Sequence, residues 1–312
     1  MIVVLAGGVG AARFLQGLVR VVAPADVTVV VNTADDVELH GLHISPDIDT
    51  VLYHLAGLAD EARGWGVRGD TFAALEMLGR YGLETWFQLG DRDLATHLYR
   101  TQLLRQGLPL SAVTDRLRRA LGIGCRLLPM TDARVETFIR TPAGWLPFQE
   151  YFVRRRAEDP VLGVEFRGVD AAPPAPGVLE ALAQAAGVIL APSNPVVSLG
   201  PILAVPGVRA ALAATRAPVV AISPIVRGAT IKGPADRMLR GLGREVSAVG
   251  VAEGYRGLVD VFVLDTADAT LAPRVEALGM RAIVADTIMR GPAEKAALAR
   301  TVVEALGLAV TR

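Results

Sequence analysis

Lysine is almost absent from this chain: of 32 basic residues in 312, all but Lys232 and Lys295 are arginine. Genomic composition accounts for that bias, and no function is read from it. Cysteine is scarcer still. The single Cys125 excludes an intramolecular disulfide, and its Gly-x-Gly-Cys-Arg setting offers no partner at a metal-binding spacing, so a small core side chain is expected there. Charge of one sign is lacking too, because 32 acidic residues balance the basic ones. With no global field to draw in nucleic acid or an anionic membrane, any anion must be bound locally. Arg154-Arg155-Arg156 has no aromatic platform beside it and reads as a solvated face. Long apolar runs are missing as well, the stretches 27–31 and 188–191 ending far short of the ~20 residues that cross a bilayer. Ile2-Val3-Val4-Leu5 follows no charged segment and is too short for a signal-peptide core, so a first strand and a cytoplasmic location are expected.

What is present is a rhythm of short β-rich runs, each followed by a helical pattern, at 2–5, 27–31, 188–190, 219–222, 261–264 and 282–284. The rhythm predicts an α/β fold, a parallel sheet with crossover helices whose strands are covered on both faces. At the end of the chain Pro292 suits a first helical turn, Leu298, Val302 and Leu306 share a face, and Gly307 closes the helix. Between about 83 and 176 the pattern changes to helices at 93–106 and 111–121 and a hairpin with arms 135–140 and 145–153. This stretch is expected to be an inserted subdomain of a single domain whose core is formed by about 1–82 and 177–312.

Two opposite demands for charge stand side by side in the first fifty residues. Ala6-Gly7-Gly8-Val9-Gly10-Ala11-Ala12-Arg13 is a glycine turn between strand and helix, where backbone N–H groups of Gly7, Gly8 and Gly10 can hold phosphate. Asp35, Asp36, Asp47 and Asp49 form a carboxylate cluster a little further on. Without a cation between them the two would repel, so a metal-bridged phosphate ester is expected, with Mg²⁺ on Asp36 and Asp49 as leading ligands. Asp47 or Asp49 also suits a helix cap. The dinucleotide pattern fails, because its third glycine is Arg13 and the second strand ends in Asn32 where a ribose-binding acid would stand. Arg13 can instead contact an anionic substrate or remain a solvated helix arginine. His40, His43 and His54 lack a cysteine to support zinc and read as loop or surface histidines.

Gln88-Leu89-Gly90-Asp91-Arg92-Asp93-Leu94-Ala95-Thr96-His97 is too densely charged for an ordinary strand exit and resembles a site loop opening a helix. Together with Asn32-Thr33-Ala34-Asp35-Asp36, Pro46-Asp47-Ile48-Asp49-Thr50, the run from Ala191-Pro192-Ser193-Asn194 to Ile202, and Ile222-Ser223-Pro224-Ile225, it resembles the 2-phospho-L-lactate transferase family of coenzyme F420 biosynthesis. Gly233-Pro234-Ala235, Gly250-Val251-Ala252-Glu253 and Ala285-Asp286-Thr287 continue the resemblance in order.

The resemblance implies a Mg²⁺-dependent transferase with a Rossmann-like core, commonly a homodimer. It would join a guanylylated three-carbon acid to the deazaflavin Fo, giving F420-0 or its dehydro form and GMP. Asp49, Asp36 and Arg92 would be catalytic, and Asp49, Gln88, Gly90, Asp91, Arg92 and His97 would meet Fo. Gln88 departs from relatives that carry a basic residue there. Gly7, Gly8, Gly10, Arg13, Ser193, Asn194, Ser198, Gly200 and Ser223 would hold the nucleotide half, with Asp47 or Asp49 near the attacking hydroxyl. Asp49→Asn is expected to lower turnover with the fold intact. The rival is a regulator of related fold that binds a nucleotide sugar without turning it over.

Overall fold

A computed structural model of the protein describes residues 1–310. Seven strands form one parallel sheet: β1 (Ile2–Ala6), β2 (Val27–Val31), β3 (Arg126–Pro129), β4 (Gly187–Leu190), β5 (Val219–Ile222), β6 (Val261–Asp265) and β7 (Arg281–Ala285). Their order across the sheet is β7-β6-β5-β4-β1-β2-β3, with every neighbouring pair parallel. The residues dictate this. β1, β2, β4, β5 and β6 are runs of mainly Val, Ile, Leu and Ala buried along their whole length, as strands covered on both faces must be. The period of two divides them: Val3, Leu5, Val188 and Leu190 enter one core, while Ile2, Val4, Val29 and Ile189 enter the other.

The chain winds one way from β1 and the other way from β4, so the order reverses between these two strands and leaves a crevice beyond their carboxyl ends. Five helices reach or support that edge: α1 (Gly8–Val21), α2 (Pro46–Leu55), α3 (Ala73–Arg80), α4 (Asp91–Arg105) and α5 (Leu110–Ala120). The C-terminal helix, Pro292–Ala305, buries Leu298 and Val302 with the following Leu306 in the same core as Phe14, Leu15 and Leu18 of α1. Cys125 is buried, and burial pushes its thiol up to about 11, in keeping with a core side chain. Among the described residues no helix is long and apolar enough to cross a membrane.

All six expected strands are present. The seventh, β3, lies inside the segment read as inserted, so 83–176 is not wholly peripheral: α4 and α5 precede this strand, and a small antiparallel sheet follows it. Arg126-Leu127-Leu128-Pro129 escapes a reading by hydrophobic run because it is short, starts with arginine and ends in a proline that only an edge strand tolerates. The expected hairpin is Glu136–Thr141 paired with Gly144–Pro147, and a third strand, Gly163–Arg167, lies on its other side. Its second arm stops at Pro147 rather than 153, giving way to a single π-helical turn, Glu150–Arg154.

Gly17 of α1 faces the C-terminal helix so closely that a Cβ there would run into the Lys295 carbonyl. Gly17→Ala is therefore expected to cost roughly 1–3 kcal/mol through overpacking. An unchanged midpoint in thermal unfolding would refute this close approach.

Candidate active site

β1 delivers the chain to Gly7 in extended backbone, and Gly8 turns it into α1 with φ +69°. The glycines are required by what packs on them. A Cβ on Gly7 would stand 2.6 Å from Ser198 Cβ and 2.8 Å from an Asp47 oxygen, and one on Gly10 would strike the Pro192 carbonyl. Gly7 N–H donates to Ser193 Oγ at 3.1 Å, so the turns after β1 and β4 touch across the point where the strand order reverses. The Gly8 N–H turns to Asp47, and the N–H groups that follow it at the start of the 14-residue α1 open beside them.

Asn32, wholly buried just past β2, holds the carboxylates in place. Its amide nitrogen donates to Asp35 (3.1 Å), to Asp47 (2.9 Å) and to the Val197 carbonyl (3.2 Å), while its oxygen accepts Ala34 N–H at 3.0 Å. Burial, opposed by the Asn32 and Gly8 hydrogen bonds and aided by the charge of Asp36, pushes Asp47 up to about 7. Burial and then the charge of Asp47 raise Asp35 well above the usual carboxylate range. Asp36, raised by burial, accepts Ser45 Oγ (2.7 Å) and meets His43 Nε2 (3.0 Å). Among the described residues no lysine or arginine forms an ion pair with Asp35, Asp36 or Asp47, and Asp35 and Asp36 each keep one buried oxygen without a hydrogen-bond partner. A cluster short of positive charge, with spare hard oxygens beside a phosphate turn, fits a divalent cation.

A second charged network lies on α2 and α4, and it is balanced from within. Asp93, His97 and Arg100 fall at i, i+4 and i+7 on α4. Arg100 is fully buried and grips Asp49 of α2 through both terminal nitrogens. Burial opposes its charge, but the attraction of Asp49 outweighs that and raises its pKa. Arg100 Nη1 lies 3.3 Å from His97 Nδ1, and a guanidinium can only donate. Nδ1 is therefore the acceptor, and the ring proton sits on Nε2, 3.2 Å from Asp93 Oδ1. Tyr53 O–H donates to the same Asp93 oxygen at 2.6 Å. Burial raises Asp93, but the His97 and Tyr53 contacts prevail and keep it below its ordinary value. Ligand atoms of Asp49, Asp93 and His97 lie within 4.8 Å of one another, a spacing open to a metal, although Arg100 already neutralises Asp49.

Both networks line one cavity of about 860 Å³. The glycine turn, Ser193, Ser198, Asp35 and Asp47 form one side; Asp49, Tyr53, Asp93 and His97 form another. Trp65, Phe87, Phe148 and Phe152 supply aromatic wall, the last two stacked with centroids 5.4 Å apart. Arg13, Lys232 and Arg290 supply positive charge.

The model of the family described as 2-phospho-L-lactate transferase CofD matches residues 2–303. The chain belongs to the 2-phospho-L-lactate transferase family. It is 48% identical to a phosphoenolpyruvate transferase of Streptomyces coelicolor, over 99% of this chain and 98% of that one. To a 2-phospho-L-lactate transferase of Methanosarcina mazei it is 41% identical, over 97% and 99%. A crystal structure of a UPF0052-family protein from Bacillus halodurans shares the fold with TM-score 0.67 at 16% identity, covering 97% of this chain and 98% of that one.

Measured against the expectations for a member of this transferase family, the cavity is lined by Gly7, Gly8, Gly10, Arg13, Asp49, Gln88, His97, Ser193, Asn194, Ser198 and Ser223. Asp36, Gly90, Asp91, Arg92 and Gly200 are not among its lining residues. Asp91 is occupied with the start of α3, accepting Thr71 Oγ (2.6 Å) and Ala74 N–H (2.9 Å); Arg92 Nη1 donates outward to the Arg68 carbonyl. A Cβ on Gly90 would strike the Asp70 carboxylate, so close packing fixes that glycine. Asp36 lies behind Asp35 and Asp47, bound to His43 and Ser45, and does not join Asp49 in the carboxylate–histidine group. Sequence reasoning missed Arg100, whose i, i+4, i+7 spacing with Asp93 and His97 was a usable signal. It also missed Lys232, one of only two lysines.

Two tests follow from the charges. Arg100→Met leaves Asp49 buried without a counter-ion and is expected to cost about 3–5 kcal/mol in chemical denaturation. Asp49→Asn strips Arg100 in the same way, so the substitution expected to spare the fold carries a stability cost. Asp47 has a folded pKa of about 7, above its unfolded value. The folded state keeps its proton where the unfolded state has lost it, so the contribution of Asp47 falls as pH rises from about 4 to 7, by at most ~1.4 kcal/mol per unit. Asp47→Asn should flatten that slope, and an unaltered pH–stability curve would rule out the raised pKa.

Proposed function

We propose that this protein transfers a phospho-three-carbon acid from its guanosine diphosphate ester to the ribityl hydroxyl of the deazaflavin Fo, giving F420-0 or dehydro-F420-0 and GMP. The acid is 2-phospholactate, enolpyruvyl phosphate or 3-phosphoglycerate. What carries the reading is the pairing of a phosphate-holding turn with carboxylates that lack positive partners, inside one cavity with an aromatic wall. Family membership and the names of its relatives support the same class of chemistry.

In this proposal the N–H groups of α1 beyond Gly8, that of Gly10 among them, with Ser193 and Ser198, receive the diphosphate oxygens. Mg²⁺ would be held by Asp35 and Asp47, the members of the first carboxylate cluster that line the cavity, and when bound it would neutralise charge on the diphosphate. The aromatic wall takes the planar rings. The ribityl hydroxyl attacks the phosphorus that bears the acid, the bond to GMP breaks, and the hydroxyl proton passes to solvent through the open cavity. Such a displacement depends on alignment and charge neutralisation more than on covalent help. Arg100 serves it by fixing Asp49, and through His97 it fixes Asp93.

Incubation with Fo, Mg²⁺ and each guanylylated acid is expected to release GMP and F420-0 or its dehydro form, read by mass spectrometry. Asp47→Asn should lower kcat by roughly 10²-fold, the scale of removing one electrostatic element from a transition state. Tight binding of a nucleotide sugar with no GMP from any of the three donors would instead favour the regulator.

A further inference from the structure

Two cations in the cavity have no anion to answer to. Arg13, one turn into α1, donates from Nη2 to the Glu61 carbonyl at 3.2 Å, and its buried Nε has no hydrogen-bond partner. Lys232 reaches the same loop from the opposite side, donating from Nζ to the Arg63 carbonyl at 3.3 Å. Both line the cavity, and among the described residues neither forms an ion pair with a carboxylate. The acid closest at hand is already matched: Glu61 accepts Lys295 Nζ at 2.7 Å and Gln16 Nε2 at 3.1 Å. Burial, and then the charge of Arg13, lower the Lys232 pKa, as expected of like charges held near each other.

The positions of these residues are built rather than incidental. Lys232 follows a two-residue hairpin, Ile225–Val226 against Ala229–Thr230, whose turn residues Arg227 and Gly228 both have positive φ (52° and 72°). Asp268 pins this turn by accepting Arg227 N–H at 2.9 and 3.1 Å. On the far side, Gly64, a glycine at φ +82°, lets Lys232 Nζ take the space a Cβ would fill.

The geometry points to Arg13 and Lys232 as a clamp for the carboxylate of the donor's three-carbon acid, the feature that separates this ester from a nucleotide sugar. The inference rests on the function proposed above and follows from a division of charge. Asp47 and Ser198 border the Gly7–Gly8 flank of the turn, where cation and diphosphate balance each other, whereas Arg13 and Lys232 border the flank facing residues 61–66. Arg290 is engaged by Asp286 at 2.8 Å, which leaves these two cations for the one remaining anion of the donor.

Calorimetric titration of the full chain with GDP, with GDP-mannose and with the guanosine diphosphate ester of enolpyruvate tests this. Wild type should bind the carboxylate ester at least about tenfold tighter than GDP-mannose, the scale of one charge-assisted contact. K232Q and R13Q should erase that gap, leave GDP affinity within about twofold and raise KM more than they lower kcat, while Lys232→Arg retains the preference. Equal loss of GDP and ester affinity in K232Q would mean that the pair holds the diphosphate, and an unchanged gap would mean that it holds neither; either overturns the clamp. Thermal melts establish that the variants fold. Failure of wild type to form GMP with Fo sinks the transferase reading by itself, and the affinity gap still decides the clamp.

Discussion

One buried amide sets the terms for the rest of the site. Asn32 ends the second strand inside the sheet's carboxyl edge, and its two N–H groups are shared among Asp35, Asp47 and the Val197 carbonyl. An aspartate there would have the same size but would set a third anion against two others, with no lysine or arginine paired to any of them. The amide thus joins the end of β2, the Asp35 loop, the first turn of α2 and the segment after Pro195. It also explains the departure from dinucleotide-binding sheets. Where those place an acid to bind a ribose, this chain places a donor that tolerates acids, which suits the cation and phosphate of the proposed function.

The two acidic networks of the cavity answer the same problem in opposite ways. Removing charge from water costs several kcal/mol per ion after relaxation, so a buried carboxylate must be paired, protonated or metal-bound. Asp49 is paired, with Arg100 filling both of its oxygens, and Asp93 is kept charged by Tyr53 and His97. Asp35 and Asp47 are instead pushed toward the protonated state. The network of Asp49, Asp93 and Arg100 is balanced in charge from within, which suits a surface that orients a neutral hydroxyl. The Asp35 and Asp47 cluster gains by acquiring a cation, which suits the charged diphosphate of the proposed function.

Much of this was legible in the sequence, and the gaps have physical causes. Strands buried on both faces must be continuous apolar runs, so β1, β2, β4, β5 and β6 could be read directly, and the edge strand β7 showed through its Ala-Ile-Val run, while β3 at the other edge, beginning in arginine and ending in proline, was passed over. The glycine turn was legible because Gly7 and Gly10 are forced by close approach to Ser198 and Pro192. The acidic cluster was legible as a cluster, but the partition among its members was not, since that depends on which of them faces Arg100 and which faces Asn32. In the motif around Asp91 and Arg92 the charges serve the junction with α3 and residues 68–70, and only the face of α4 carrying Asp93, His97 and Arg100 points inward, a division the dense run of charge did not show. Phe148 and Phe152, four residues apart, can share a face in a strand as well as across the helical turn at Glu150–Arg154, so the pattern could not tell the two apart.

Under the proposed function, the division of labour in the cavity bears on which acid the donor carries. As guanosine diphosphate esters the three acids all present a carboxylate and a diphosphate, and in the lactyl and enolpyruvyl esters the two are equally spaced, so neither the turn nor a pair of cations can choose between those. That choice must come from contacts to the third carbon, a methyl in one and a methylene in the other, whereas 3-phosphoglycerate carries its phosphate on the third carbon and a hydroxyl on the second. A pocket reads one such carbon with only ~1–3 kcal/mol unless it offers a hydrogen-bond partner that the wrong acid leaves unmet. The wall near Lys232 includes Trp65 and Ile231, which can favour a hydrocarbon end but cannot bond a hydroxyl through carbon. Preference for a hydroxylated acid therefore requires a polar neighbour such as Thr230 or the backbone of residues 64–66. Small changes in that loop can then shift the donor while the turn, the carboxylates and the acceptor wall remain as they are.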